Sequence, residues 1–430
     1  MTTDRTTDYV ASYYRDSAAL PPATAPLRGA VRGDVCVVGG GIAGCSTALE
    51  LAQRGYDVVL LEARRIGWGA SGRAGGQVIY GLAAEHERIE AMAGAQDARR
   101  IWNLSLEAIE LIKRRIAKHH IDCDWVDGQM LTAIKTRQWR ALQQWQAELV
   151  NTLGYGSTRL IEREELRSLV ATERYVGALY DSNGGHLHPL RYTFGLARAA
   201  VSAGARIHEG SEVLAWTRDG GRVRVQTPEG SVECAQLIFA GNAWLGRTVP
   251  ELQRKLMTVG SYIIATAPLG EEAARALIAN NAAICDTNWI LDYFRRSSDH
   301  RLLFGGRVNY SGIDLRGVGP ATAQHMWRVF PQLRGTRIDY AWGCLLDITL
   351  NRAPNFGRLE PNVYFLQGFS GHGIALAGIA GLLVAETIAG TNERFDVMAR
   401  LPHRDFPGGL GLRRQALVLA MLWYRLRDLL

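Results

Sequence analysis

The sequence predicts an α/β fold in which a Rossmann-like dinucleotide-binding domain is interleaved with an antiparallel-sheet domain. Three observations predict it. Residues 34–62 read as strand, glycine-rich turn, helix and strand in about 30 residues, the span of a βαβ unit. Residues 205–241 break into short alternating segments (ARIHE, SEVLAW, RVRVQT, SVECAQLIFAG) parted by the turn signals Asp219-Gly220-Gly221 and Pro228-Glu229-Gly230, as a meander requires. Buried-strand patterns then return late, at LIFAGNAW and at NVYFL before GFSGHG, so strands of one sheet are separated by long insertions.

The elements follow in order. Residues 1–33 are polar and proline-rich (PPATAP) and read as an extended arm. Residues 84–120 and about 136–153 carry charged, helix-periodic patterns, the second with Trp139 and Trp145. Pro189 opens a helix that Gly204 closes. SYIIAT and RLLFGGRV flank a helix near 270–280, residues 337–346 are strand-like, and Gly373–Ala385 is an uncharged run of 13 residues. A bilayer needs about 20 such residues, so this run is read as a buried helix rather than a membrane span. Residues 411–430 form an amphipathic helix expected to dock on the body, with membrane anchoring the weaker alternative. The expected domains are an arm (1–33), a discontinuous dinucleotide-binding domain (34–85, 155–250 and 335–400), a substrate domain (86–154 and 251–334) and a helical tail (401–430).

Composition narrows the function classes. The 430 residues are 47% hydrophobic and 21% charged, ordinary for a soluble globular chain. The net charge of +7 comes from scattered arginines rather than a basic stripe, so no nucleic-acid partner is expected. Six cysteines form no CxxC pair and no metal spacing, so neither a metal nor a disulfide framework is expected. The first thirty residues lack the apolar core of a signal peptide, and a cytoplasmic location is expected.

The chemistry sits first in Gly39-Gly40-Gly41-Ile42-Ala43-Gly44. Gly39 permits the tight turn, Gly41 lets backbone approach a pyrophosphate, and Gly44 lets helix pack on strand. The helix start offers free N–H groups to phosphate. Glu62, 18 residues after Gly44 at the end of the second strand, is placed to accept from both ribose hydroxyls. Directly afterwards comes RRIGWGASGRAGGQ (64–77), a second glycine-rich loop that suits a flavin dinucleotide, with Ser71 towards a phosphate. A flexible surface loop is the alternative.

VVGGGIAG, LLEARRIGWGASGRAGGQ and GFSGHGIALAGIAG resemble the D-amino-acid oxidase superfamily of FAD-dependent amine oxidoreductases. Within it, the SYY arm (12–14), HLHPLRY (186–192), LLFGGRV (302–308), AWGCLLDITLNRAPNFGR (341–358) and RDFPGG (404–409) resemble the gamma-glutamylputrescine oxidases, over nearly the whole chain. The resemblance implies FAD on Gly39, Gly41, Gly44 and Glu62, with Ala70, Ser71 and Gln77 along the pyrophosphate and flavin. Val213 meets adenine, Gly241 the diphosphate, and Gly371, His372, Gly373 and Ile374 the pyrimidine side of the flavin. Ile42, Ala43, Ala63, Gly69, Gly76, Ala240 and Gly343 complete the implied cofactor set. The helix from Gly373 has its own rationale: its positive end favours the anionic reduced flavin, with His372 adding charge or a hydrogen bond.

The resemblance implies oxidation of a gamma-glutamylated polyamine by hydride transfer to flavin N5, with molecular oxygen as acceptor and peroxide, aldehyde and ammonia as products. A secondary-amine or amino-acid oxidase, or a dehydrogenase, is the alternative. The flavin carries the chemistry, so no catalytic triad is expected. Arg307 is a candidate for a substrate carboxylate or a domain-interface ion pair, and Tyr293 and Phe294 for an aromatic wall or core packing. Asp347 is a candidate for a terminal ammonium or a structural hydrogen bond. Related sarcosine oxidases link flavin to a cysteine near the position of Cys344; noncovalent FAD with a buried Cys344 is the favoured expectation.

Overall fold

The computed structural model describes residues 8–309 and 318–407, without side chains at 247, 307–309 and 318. The tail helix expected at 411–430 lies outside the described residues.

Val35–Val38 and Val58–Leu61 are buried at every position, as parallel strands covered on both faces must be. They lie at the centre of a six-stranded sheet in the order Asn355–Glu360, Val363–Gln367, Gln236–Phe239, Val35–Val38, Val58–Leu61, Arg206–His208. Every neighbouring pair is parallel except the antiparallel edge Asn355–Glu360. Alternate side chains face opposite ways. Val35, Val37, Val58 and Leu60 join the helices Ile42–Gln53, Pro189–Ser202 and Gly373–Ile388 in one core. Cys36, Val38, Val59 and Leu61 meet Val223, Val225 and Val232 of a four-stranded sheet in another.

The helix Gly373–Ile388 is buried at nearly every turn, in agreement with its uncharged pattern. Small residues let it touch the helix Ile42–Gln53: a Cβ at Gly381 would come within 2.5 Å of Ser46 Oγ, and that hydroxyl donates to the Gly378 carbonyl at 2.6 Å. Among the described residues no helix is long and apolar enough to cross a membrane.

A second large sheet runs in the order Ile338–Ile348, Met257–Thr266, Leu302–Asn309, Tyr293–Arg296, Ala283–Asp286, Val126–Ala133, Gly177–His186, Gln77–Val78, with Thr158–Glu162 also paired to Gly177–His186. It is antiparallel except where Ala283–Asp286 meets Val126–Ala133. Thr158–Glu162, Gly177–His186, Gln77–Val78 and Ile338–Ile348 fall within the segments expected for the dinucleotide-binding domain, and their backbones pair into this second sheet. Hydrogen-bond register between distant segments has no local signature.

The arm expected to be extended is different. Ser12 caps a short helix, Tyr13–Ser17, by accepting from Arg15 N. Tyr13 and Tyr14 are buried, with Tyr14 edge-on to His188 and Trp342 and its hydroxyl accepting from Arg295 Nη2 at 3.1 Å. Further on, Gly29–Arg32 adds a parallel strand to the meander Ala215–Asp219, Arg222–Gln226, Gly230–Cys234. Two neighbouring aromatics convert a polar, proline-rich segment into a docked one.

Candidate active site

Residues from both large sheets and the loops between them enclose a cavity of about 1140 Å³. That is larger than the usual small-molecule site of about 300–1,000 Å³ and has room for more than one small substrate.

One end is built by the first turn. Gly39 has φ +112°, and a Cβ there would lie 2.9 Å from the Ala240 backbone. A Cβ at Gly44 would fall 1.8 Å from the Gly39 carbonyl oxygen, so only glycine lets this helix start so close to its strand. The helix Ile42–Gln53 has no side-chain cap at Gly41; instead the Ile42 N–H donates to Ser71 Oγ at 2.9 Å. The second glycine loop is thereby fastened over the first. Glu62 accepts from the Gly40 N–H at 2.6 Å and the Arg64 N–H at 2.8 Å. Burial raises its pKa and these two donors partly offset that.

The other end is built by the turn before Gly373. Its helix, 16 residues long, begins at His372 without a side-chain cap, so its N–H groups and positive end open on the cavity. Burial, and then Arg352, pull the pKa of His372 down to about 4. Its Nδ1 is buried with no partner among the described residues.

Most residues anticipated from sequence come together here. Gly39, Gly41, Ile42, Ala43, Glu62 and Ala63 line the cavity, as do Gly69, Ala70, Ser71, Gly76 and Gln77. Val213, Ala240 and Gly241 line it from one side, and Gly371, His372, Gly373 and Ile374 from another. Gly44 and Gly343 do not line it: Gly44 is spent on helix–strand packing, and Gly343 faces the ring of Tyr262.

The substrate-side candidates divide. Tyr293 lines the cavity, its hydroxyl 3.1 Å from Ser261 Oγ, with Gly75 and Gly305 leaving space for its ring. Phe294 instead stacks on Phe304 inside the core. Asp347 borders the cavity but is almost fully buried, and its Oδ1 accepts from Thr258 on the adjacent strand at 2.5 Å. The backbone of Arg307 pairs with Tyr262; its side chain lies outside the described residues. Cys344 lines the cavity, and burial pushes its thiol up to about 12.

Sequence reasoning missed several lining residues: Trp68, Asn242, Trp244, Trp289 and Arg352. Trp68, Trp289 and Arg352 lie in turns, and Asn242 and Trp244 in a single 3-10 turn, all too short to show a periodicity. Trp68 carries the guanidinium groups of Arg64 and Arg73 at 4.2 and 4.0 Å from its ring centre and meets Trp244 edge-on.

Two helix starts without side-chain caps face one cavity that the half-buried Glu62 and His372 also line, an arrangement that fits a dinucleotide cofactor. The comparisons agree. The family model described as FAD dependent oxidoreductase (DAO) matches residues 34–387, and the chain belongs to this family. It is 42% identical over 423 residues to the gamma-glutamylputrescine oxidoreductase of Escherichia coli, covering 98% of this chain and 99% of that one. It is 40% identical to a probable oxidoreductase OrdL of Haemophilus influenzae, with 98% of each chain covered. Among solved structures, glycine oxidase from Geobacillus kaustophilus superposes with a TM-score of 0.70 at 22% identity, over 83% of this chain and 95% of that one. The chain is therefore an enzyme, an FAD-dependent amine oxidoreductase.

Proposed function

We propose that the enzyme oxidises the primary amine of gamma-glutamylputrescine, or of a related gamma-glutamylated polyamine, with molecular oxygen as acceptor. Amine, oxygen and water then yield aldehyde, ammonia and hydrogen peroxide. The observation that carries this reading is the 42% identity to gamma-glutamylputrescine oxidoreductase across almost the whole of both chains.

Bound FAD supplies a two-electron acceptor for the hydrogen next to the amine nitrogen. In this reading Gly39, Gly41 and the N–H groups of the helix Ile42–Gln53 hold the pyrophosphate, with Ser71 beside them, and Glu62 holds the ribose. The start of the helix Gly373–Ile388 and His372 would face the part of the flavin that gathers negative charge on reduction. Tyr293, Val259 and Leu346, all on the lining, supply apolar surface, which disfavours an ammonium and so favours the neutral amine. Cys344, held as a thiol by burial, supports noncovalent FAD. All six cysteines are buried and free, which supports a reducing compartment and hence the cytoplasm.

Two measurements test the reading. With a panel of gamma-glutamylputrescine, putrescine, sarcosine, glycine and D-amino acids, anaerobic flavin bleaching and aerobic peroxide release are expected to be fastest with the first. Preference for sarcosine or glycine would overturn the substrate, in favour of the amino-acid oxidase alternative suggested by the likeness to glycine oxidases. Bleaching without peroxide would replace oxidase by dehydrogenase. Acid precipitation of the yellow protein is expected to leave all colour in the supernatant; colour retained on the pellet, and lost in Cys344→Ala, would establish a covalent link.

A further inference from the structure

We propose that Arg352, backed by Trp289, is the specificity residue that receives the carboxylate of the substrate, an inference that rests on the gamma-glutamylated-amine reading above. Among the described residues, the cavity is lined by only two cationic side chains, Arg64 and Arg352. Arg64 follows the ribose-type acid: its N–H is bonded to Glu62 and its guanidinium lies over Trp68. Arg352 lines the cavity together with His372 and Asp347.

The backbone at Arg352 points the same way. Its φ of +66° is left-handed, a conformation that glycine or asparagine adopts more readily than arginine. The turn enforces it: Arg352 N donates to the Thr349 carbonyl at 3.2 Å, Thr349 Oγ1 to the Ala353 carbonyl at 2.7 Å, and Ala353 N to Asn351 Oδ1 at 3.1 Å. A strained residue held by its surroundings and facing a cavity marks a functional position. The guanidinium lies 6.0 Å from the ring centre of Trp289, which is 43% exposed and lines the cavity from the turn between Ala283–Asp286 and Tyr293–Arg296. A guanidinium flanked by an aromatic face is a weakly hydrated fork matched to a carboxylate. A gamma-glutamylated amine carries such a group; a simple polyamine does not.

The carboxylate could equally belong to a small amino acid, so the experiment separates the two sources. kcat/KM is measured for gamma-glutamylputrescine and its α-carboxamide in wild type, Arg352→Lys, Arg352→Gln and Trp289→Ala, each checked for full flavin content. Wild type is expected to prefer the carboxylate by roughly 10- to 100-fold. In R352Q this preference should collapse towards unity through KM, with partial recovery in R352K, which keeps charge without the fork, and an intermediate value in W289A. A preference that survives in R352Q overturns the inference while leaving the substrate reading intact. If wild type instead turns over glycine or sarcosine and ignores the gamma-glutamyl compound, the substrate reading fails. The glycine-to-glycinamide ratio then decides Arg352 separately, with collapse in R352Q upholding it and an unchanged ratio refuting it.

Discussion

Gly44→Val is expected to yield little soluble protein, and that protein colourless. Even a single methyl at this position would sit 1.8 Å from the Gly39 carbonyl oxygen, inside any permitted contact. The obstacle is backbone, so no rotamer change relieves it; either the helix Ile42–Gln53 lifts or the turn at Gly39 opens. Overpacking a well-packed site ordinarily costs about 1–3 kcal/mol, and a backbone clash belongs in the tail beyond that. Both movements displace the Ile42 N–H from its place beside Ser71, so bound flavin is lost along with stability. Gly156→Ala is the control: a Cβ there meets nothing within 4 Å, and its effect should stay within about 0.5 kcal/mol. Visible flavin absorbance per protein and thermal midpoints decide the matter. A G44V protein that remains yellow with an unchanged midpoint would show that Gly44 does not set the helix–strand distance.

Stability should also fall steeply as pH drops from 6.5 towards 4.5. Four histidines have folded pKa values depressed mainly by burial: His186 to about 3, His372 and His403 to about 4, and His188 well below its ordinary value. The unfolded chain protonates these groups near 6.5 while the folded one keeps them neutral. Depressed values therefore contribute stability that is complete above 6.5 and is lost as pH falls towards 4. Each histidine accounts for about 1.4 kcal/mol per pH unit within that window. Carboxyls raised by burial work in the opposite sense, namely Asp286 (to about 7, with Asp292 beside it), Glu62, Glu148, Asp181 and Glu386, while Glu50, Glu165, Asp299 and Asp339 are lowered by their partners and add to the fall. Chemical denaturation at pH 7.0, 6.0, 5.0 and 4.5 is expected to show a falling midpoint, with a shallower fall in His403→Gln. A midpoint independent of pH across this range would refute the account.

The strands and helices of the dinucleotide unit were legible because each rests on a local pattern: continuous apolar runs for strands covered on both faces, and glycines at the turn between them. The buried helix from Gly373 was legible for the same reason. The meander at 215–234 was readable from its turns, but its fourth strand, Gly29–Arg32, was not, because it pairs with residues some 200 positions away. Tyr13 and Tyr14 gave no sign that they close the junction beside Trp342 and His188.

The site divides along the same line. Gly39, Gly41, Glu62, Ser71 and the turn at 371–374 are expected at a site because a phosphate, a ribose and a reduced flavin each demand a particular backbone or acid, and all of them line one cavity. Trp289 and Arg352 had no such spacing: they lie 63 positions apart in irregular segments and meet only across the cavity. Phe294 and Tyr293 are adjacent in sequence, and strand alternation alone sent one into the core and the other to the cavity wall. The sequence by itself thus determined the cofactor class and the local elements of the dinucleotide unit, since those depend on contacts within a few residues. Which side chains line the cavity beyond them was decided only by the tertiary structure, since sheet register and loop placement depend on pairings between segments that the chain brings together from far apart.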